Sequence, residues 1–399
     1  MNKEMEIERL RLETPGCSER IHLNNAGASL MPKPVIDAIK DQLDLESSIG
    51  GYEAAAEREQ EIKAAYDAVA SLVGTNSRNV AFTENATISY IQALSSIRFE
   101  TGDVILTTRN DYASNQIQFL SLQARFGVKV VRAPDLAEGG VDVAAMSDLI
   151  DGERPKLVCV THVPTSSGLI QDITAIGALC RAAEIIYLVD GSQSLGQMPI
   201  DVEKIGCDFF SATSRKFLRG PRGAGFLCVS DGVLESDLEP LFIDMRGADW
   251  VGGERYERRG DARRFESWEF AWSLVLGTGA AARYAASVGL DQIETRVSDL
   301  GKTLRGRLEG LDGVRVLDRG SDLCAIVTVW VDGWEPIQLV QELRKRKINT
   351  SAQVRSDAVL HYDESGATGA LRISPHYYNT EEEIETVFEA VTELVALKK

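Results

Sequence analysis

Short apolar runs alternate with longer amphipathic stretches between about residues 80 and 230. The runs predict strands because they are apolar throughout and rich in β-branched residues; they cover residues 80–82, 104–106, 128–131, 157–160, 185–189 and 225–229. Stretches with helical periodicity lie between most of them, for example at 87–97, 114–126 and 173–183. Apolar strands that alternate with helices are typical of an α/β fold with a mostly parallel sheet covered on both faces, and such sheets bind ligands at the carboxyl ends of their strands.

The pattern changes in the last third of the chain. Residues 244–269 are dense in Gly, Arg and Glu, which indicates either a mobile lid or a contact between domains or subunits. A long helical stretch at 272–307 follows, then two strand-like runs at 325–331 and 371–374 and a helix that begins at Thr380. The sequence therefore predicts a large domain at 22–268 and a smaller α+β domain formed by 1–21 and 269–399.

Composition excludes several classes of partner. The 399 residues are 44% hydrophobic and 26% charged, as in an ordinary globular protein. The formal net charge of −17 repels nucleic-acid phosphates and anionic lipids, so we expect neither nucleic-acid nor membrane binding. The sequence lacks a run of about 18 apolar residues and a signal-type start, which predicts a cytoplasmic protein. Six scattered cysteines and four histidines predict neither a disulfide framework nor a metal site.

One lysine stands out between an apolar run and a turn of glycines and proline. Lys216 lies among Arg215, Arg219 and Arg222. Neighbouring cations and partial burial favour its neutral amine, a nucleophile for carbonyl carbons, while guanidinium groups and hydroxyls suit a phosphate. A solvated basic loop is the alternative. A dinucleotide loop is disfavoured because the glycines read GPRGAG rather than GxGxxG and precede a strand.

Two further sites lie where predicted strands end. Asp190 follows the strand at 185–189, where a carboxylate is well placed to pair with a protonated ring nitrogen, although turn and cap residues often look the same. At 82–87 a strand gives way to a helix whose free N–H groups would face an anion. Alone, that segment is only a good helix start.

Taken together, these motifs resemble the class V aminotransferase family of fold-type I pyridoxal-phosphate enzymes. The resemblance adds the segments His22-Leu-Asn-Asn-Ala-Gly-Ala28 and Leu371-Arg-Ile-Ser-Pro-His-Tyr-Tyr-Asn-Thr-Glu-Glu-Glu383, and it covers nearly the whole chain. It implies a fold-type I transferase with a large and a small domain, a homodimer, pyridoxal 5'-phosphate as cofactor and a small amino acid as substrate.

The resemblance also implies roles for individual residues. Lys216 would bind the cofactor covalently and move the α-proton of the substrate, Asp190 would keep the pyridine nitrogen protonated, and Tyr112 would stack on the ring. Arg372 would hold the substrate carboxylate with help from Asn25 and Ala26. The implied cofactor contacts are Ala86, Thr87, Tyr112, Thr165, Asp190, Gln193, Thr213, Arg215 and Lys216. Tyr112 could instead be an ordinary half-buried aromatic residue, Thr165 a cap and Arg372 a surface cation.

Substrate choice is inferred from a departure from the family pattern. Cysteine desulfurases of the family carry a reactive cysteine shortly before the C-terminal arginine, whereas residues 348–370 contain none. We therefore expect an enzyme that is not a persulfide-forming cysteine desulfurase. The strings at 50–54, 214–217 and 220–223 resemble hercynylcysteine sulfoxide lyases, which predicts β-elimination from a cysteine S-conjugate or sulfoxide.

Three alternatives to this lyase remain open. An aminotransferase or a racemase or epimerase would use the same site, because the sequence predicts a carbanion and not its fate. A non-catalytic relative could keep the fold as a binding protein, which Lys216 and Asp190 together disfavour. A nicotinamide-dependent oxidoreductase is disfavoured by the missing GxGxxG pattern.

Overall fold

The strands of the protein follow the predicted order closely. The computed structural model describes residues 5–398. Its strands are β1 (Ile21–His22), β2 (Val80–Thr83), β3 (Val104–Thr107), β4 (Lys129–Arg132), β5 (Leu157–Thr161), β6 (Ile186–Asp190), β7 (Phe209–Thr213), β8 (Gly225–Val229), β9 (Ala248–Gly252), β10 (Arg255–Arg258), β11 (Val314–Val316), β12 (Val327–Val331), β13 (Ile348–Asn349), β14 (Ser351–Val354) and β15 (Gly369–Ile373).

Helices separate most of these strands. They are α1 (Ile7–Leu12), α2 (Lys33–Ile49), α3 (Gly51–Glu57), α4 (Glu59–Leu72), α5 (Ala86–Ser95), α6 (Ala113–Phe126), α7 (Val143–Glu153), α8 (Ile173–Ala182), α9 (Val202–Ile205), α10 (Asp231–Glu235), α11 (Trp272–Val288), α12 (Leu290–Glu309), α13 (Pro336–Lys345), α14 (Val359–Ser365) and α15 (Glu381–Ala396). Side-chain caps fix several starts: Asn85 accepts the N–H of Ile88 at α5, and Thr380 and Glu383 form a capping box at α15.

The part of the fold from β2 to β8 is built around a central sheet. In the described part of the chain it has seven strands in the order β2-β8-β7-β6-β5-β3-β4, all parallel except β8. Alternate residues of its strands enter two separate cores: Val158 and Val160 face one, and Leu157 and Cys159 face the other. Both faces are therefore covered, which explains why β5 reads as a continuous apolar run.

A second, antiparallel sheet lies in the C-terminal part. Its order is β11-β12-β15-β14, and Val329 of β12 and Leu371 of β15 share a core with Leu300 of α12 and Ile384 of α15. The N-terminal strand β1 pairs in parallel with β13. The division at residue 268 stays a prediction, and residues 1–4 and 399 of the predicted small domain lie outside the described residues.

The structure differs from the prediction in several places, and the strands that the predicted set lacks are β1, β7, β9, β10, β11, β13 and β14. Strand β7 is absent from the predicted set because Ser211 and Thr213 interrupt its apolar character. The helical stretch at 272–307 is two helices that meet at Gly289, whose φ of 97° ends α11. Residues 244–269 contain the hairpin β9–β10, most of whose side chains are exposed.

Across residues 5–398, every helix is too short or too polar to cross a membrane.

Candidate active site

A cavity of about 300 Å³ opens at the carboxyl edge of the central sheet. Thr161, Asp190 and Thr213 are the last residues of β5, β6 and β7, so the parallel strands bring them to one edge. Every residue predicted to contact the cofactor lines this cavity. The lining is Asn85, Ala86, Thr87, Tyr112, Asn115, Thr161, Val163, Thr165, Asp190, Ser192, Gln193, Thr213, Arg215 and Lys216.

Lys216 lies on the turn after β7 and is only 8% exposed. The pKa of its amine is lowered to about 7, chiefly because the buried ammonium loses hydration and also because the Arg215 guanidinium lies nearby. The Asp190 carboxylate acts in the opposite direction. Its Nζ lies 5.9 Å from the centroid of the Tyr112 ring. A substantial fraction of Lys216 is therefore a neutral, nucleophilic amine near pH 7.

The Asp190 carboxylate is buried and held by two donors. Its Oδ1 accepts the backbone N–H of Ser192 at 2.9 Å, and its Oδ2 accepts Nδ2 of Asn115 at 3.2 Å. Both bonds fix the carboxylate at the end of β6, which suits it to face a protonated ring nitrogen in the cavity.

Another part of the cavity lining suits an anion. Ala86 and Thr87 form the first turn of α5, where backbone N–H groups and the helix dipole favour negative charge. Gly225 at the start of β8 permits this arrangement, since a Cβ there would lie 2.7 Å from the backbone nitrogen of Ala86. Arg215 adds a cation, and its guanidinium also donates to the carbonyl of Gly27.

Arg372 of β15 is a buried cation that forms no ion pair among the described residues. It is 3% exposed, and one guanidinium nitrogen donates to the carbonyl and hydroxyl oxygens of Thr165 at 3.1 and 2.5 Å. Within residues 5–398 its Nε has no partner, and burial lowers the pKa of the guanidinium to about 10. An unpaired buried charge is costly, so the position favours a bound anion.

The polar groups of Asn25 and Ala26 are already bonded. Asn25 donates Nδ2 to the carbonyl of Ser374 at 2.7 Å and accepts the Tyr378 hydroxyl at 2.6 Å. The N–H of Ala26 donates to the Ser374 hydroxyl at 3.0 Å. These bonds connect the N-terminal segment to the strand that carries Arg372, so the two residues support the site while Arg372 supplies the free donors.

Gln193 joins the cofactor side of the site to the Arg372 side. Its Nε2 donates to the Thr165 hydroxyl and to the Ala26 carbonyl, each at 3.1 Å. Its Oε1 and the Ser192 hydroxyl are buried without a partner in the described residues. Gln193 is an implied cofactor contact, and for its amide to donate to a cofactor oxygen one of these two bonds would have to be exchanged.

Five lining residues are absent from the predicted cofactor contacts, and one of them, Asn85, lies within the predicted anion-binding segment at 82–87. Thr161 and Ser192 follow from the strand-end rule, because they end β5 or follow β6. Asn115 and Val163 gave no comparable signal. Asn115 lies in the first turn of α6, three residues after Tyr112, and its contact with Asp190 depends on how α6 packs on the sheet.

The arrangement fits an aromatic aldehyde that carries a ring nitrogen and a phosphate. A neutral amine, a fixed carboxylate and an anion site surround one cavity, and unpartnered polar atoms of Ser192 and Gln193 remain available inside it. These are the groups through which a protein binds and tunes pyridoxal phosphate. An α/β sheet with this site at its carboxyl edge defines an enzyme dependent on that cofactor.

In agreement with the site, the chain belongs to the class-V aminotransferase family, whose model matches residues 21–387. A relative named probable cysteine desulfurase from Methanothermobacter thermautotrophicus is 27% identical, over 98% of this chain and 99% of the relative. A probable hercynylcysteine sulfoxide lyase from Mycobacterium tuberculosis is 27% identical over 94% of this chain and 90% of the relative. The solved apo structure of a cysteine desulfurase from Thermococcus onnurineus NA1 superposes with a TM-score of 0.90, at 26% identity and 99% coverage of both chains.

These comparisons confirm the family, the fold class and the cofactor, pyridoxal 5'-phosphate. The expectation that the enzyme is not a persulfide-forming cysteine desulfurase is wrong, because several similar relatives and a similar solved structure are named cysteine desulfurases. It rested on the missing cysteine at 348–370. The physical reason for the error is that removal of the α-proton comes before any sulfur transfer and does not need this cysteine. The lack of a cysteine at 348–370 therefore does not decide whether the enzyme is a desulfurase.

Proposed function

We propose that the enzyme cleaves the carbon–sulfur bond of a cysteine-derived α-amino acid. More specifically, we propose that it does so by β-elimination from a cysteine S-conjugate or sulfoxide. The Cα–H and Cβ–S bonds break and a Cα=Cβ bond forms, while the sulfur fragment leaves and takes up a proton, as a thiol from an S-conjugate or a sulfenic acid from a sulfoxide. Water then converts the released enamine to pyruvate and ammonia. The observation that carries the proposal is the buried Arg372, which forms no ion pair among residues 5–398 and lies close to the cavity that contains Asp190 and Lys216, whose pKa is lowered to about 7.

Each residue has a task that follows from its surroundings. When bound, pyridoxal phosphate supplies an electron sink for the substrate carbanion. Lys216 would hold the cofactor through its aldehyde carbon, and its neutral amine would take the α-proton of the bound substrate. Asp190 keeps the ring nitrogen charged, and Arg372 holds the substrate carboxylate as a bidentate partner so that the α-proton faces Lys216.

The names of the relatives support carbon–sulfur chemistry over transamination or racemisation. Cysteine desulfurase and hercynylcysteine sulfoxide lyase both refer to removal of sulfur from a cysteine-derived compound. Desulfuration of free cysteine is the second candidate, supported by the relatives that carry that name. The two candidates share proton removal by Lys216 and differ in the fate of sulfur.

Product analysis tests the proposal. The loaded enzyme is incubated with cysteine, S-alkylcysteines and their sulfoxides, and pyruvate, ammonia, alanine, sulfide and protein-bound sulfur are quantified. We expect pyruvate and ammonia in equal amounts from at least one S-substituted substrate, and none with the Lys216→Ala variant. Alanine with protein-bound sulfur from cysteine would instead establish the second candidate. A racemised or keto product with the C–S bond intact would contradict both.

We also propose that the protein is a homodimer in which residues 244–269 form a subunit contact. The support is that large apolar side chains are exposed along this stretch and just before it, including Phe242 at 83% and Trp250 at 82%. Light scattering is expected to give a mass of about twice 43.6 kDa, and Trp250→Glu should lower it. A monomeric wild type would contradict the proposal. A cytoplasmic location stays a prediction.

A further inference from the structure

A chain of buried polar groups continues from Asp190 away from the cavity. Asn115 of α6 donates Nδ2 to Oδ2 of Asp190 at 3.2 Å and to Oδ1 of Asp111 at 3.0 Å. Asn115, Asp190 and Asp111 are 2%, 5% and 8% exposed. One amide therefore links two buried carboxylates, and turning it away from either would break a hydrogen bond to a charged group.

Asp111 is surrounded by donors. Its carboxylate accepts the hydroxyls of Thr161 at 2.5 Å and Thr107 at 3.1 Å, and Nε2 of Gln116 at 2.9 Å. It also accepts the backbone N–H of Tyr112 at 2.7 Å. Burial raises the pKa of Asp111, whereas these hydrogen bonds oppose the rise. So many donors suit an acceptor-only carboxylate, and in the described residues it forms no ion pair.

The other ionisable groups around the two carboxylates leave their charge largely uncompensated. Tyr90 of α5 and Cys159 of β5 face them, and burial raises the pKa of both far enough to keep them neutral. Arg132 of β4 reaches only the far side of Gln116. Lys216 faces Asp190 from the cavity. The cation that best complements this arrangement is a protonated ring nitrogen opposite Asp190.

We propose that Asp111, acting through Asn115, is a positioning residue that fixes the orientation of the Asp190 carboxylate and favours the protonated form of the ring nitrogen facing it. This inference rests on the proposed cofactor site. The charge of Asp111 acts across the Asn115 amide, in a low-dielectric interior where such interactions are strong. Because Asp111 also binds the N–H of Tyr112, the same carboxylate fixes the turn that carries the predicted stacking ring.

The experiment compares Asp111→Asn and Asn115→Ala with a matched control, Asp208→Asn. Asp208 is a largely buried carboxylate whose pKa burial also raises, and it accepts the Tyr187 N–H near the opposite end of β6 at 2.9 Å. For each loaded protein, without substrate, the visible band of the Lys216–cofactor Schiff base is titrated with pH. Cofactor dissociation is measured by equilibrium dialysis against pyridoxal phosphate.

In both test variants we expect the titration midpoint to rise by about one pH unit. The reason is that a positive charge on the ring nitrogen lowers the pKa of the Schiff base, and this charge is reduced when the nitrogen is less protonated. Cofactor binding should weaken about tenfold, while Asp208→Asn leaves both values unchanged. A merely structural role would lower the melting temperature without moving the midpoint, and that result would overturn the proposal. If Asp111→Asn does not fold, Asn115→Ala decides. A wild type without a visible band would refute the cofactor site itself.

Discussion

Replacing Lys216 with alanine is expected to abolish the visible cofactor band and to lower turnover by at least about 10³-fold. The side chain supplies both the covalent attachment and the base, and among residues 5–398 it is the one lysine that lines the cavity. The physical basis is burial, which brings the pKa of this amine to about 7 and so provides a neutral nucleophile near physiological pH. Absorption spectroscopy with and without borohydride, followed by product assays, measures both effects.

Lys204→Ala is the matched control for this variant. Lys204 has an 81% exposed side chain and pairs with Asp201 at 3.0 Å, so its loss should leave band and turnover unchanged. Because burial penalises the charged form of this amine, its removal relieves a desolvation cost, and Lys216→Ala should fold at least as stably as wild type. A borohydride-sensitive band that persists in Lys216→Ala would show that another amine binds the aldehyde.

Replacing Arg372 with lysine should weaken the binding of a carboxylate-bearing substrate by about 100-fold. The guanidinium is planar, buried and bonded on one side to Thr165, which leaves donors for a two-point contact with a carboxylate. A lysine keeps the positive charge, but its single ammonium group can neither form a two-point contact with the carboxylate nor reproduce the guanidinium bonds to Thr165. The effect is measured as the change in dissociation constant for an unreactive substrate analogue.

An amine analogue that lacks the carboxylate provides the internal comparison. Its affinity should be nearly equal in wild type and Arg372→Lys, since the lost contact is with the missing group. Arg355→Lys serves as the matched variant, because Arg355 is exposed and pairs with Asp363. Equal weakening for both analogues would mean that Arg372 supports the fold of the pocket rather than the substrate carboxylate.

The pattern of apolar runs along the chain predicted most strands of the central sheet and the carboxyl edge at which the cavity lies. The strand that ends at Asp190 and the turn that carries Lys216 are readable because strand ends and apolar runs are properties of neighbouring residues. Strand β7 escaped this reasoning since Ser211 and Thr213 are polar, although the whole strand is buried. The predicted roles of the lining residues stay predictions, but the structure brings all the predicted cofactor contacts to one cavity.

The relation between Arg372 and Thr165 could not be read from the sequence in the same way. The two residues are 207 positions apart and belong to different parts of the fold. Family resemblance marked each residue separately, whereas only the packing of β15 beside the cavity makes Thr165 the partner of the guanidinium. The bonds that occupy Asn25 and Ala26 have the same origin.

By itself, the sequence determined the alternation of strands and helices, the acidic surface charge and the positions of one lysine and one carboxylate at strand ends. Tertiary structure alone decided the near-neutral pKa of Lys216, the burial of Arg372 without an ion pair among the described residues, and the link from Asp111 through Asn115 to Asp190, 75 residues beyond Asn115. Periodicity and strand ends depend on neighbours along the chain. Desolvation and hydrogen bonding of a buried charge depend instead on which distant segments surround it.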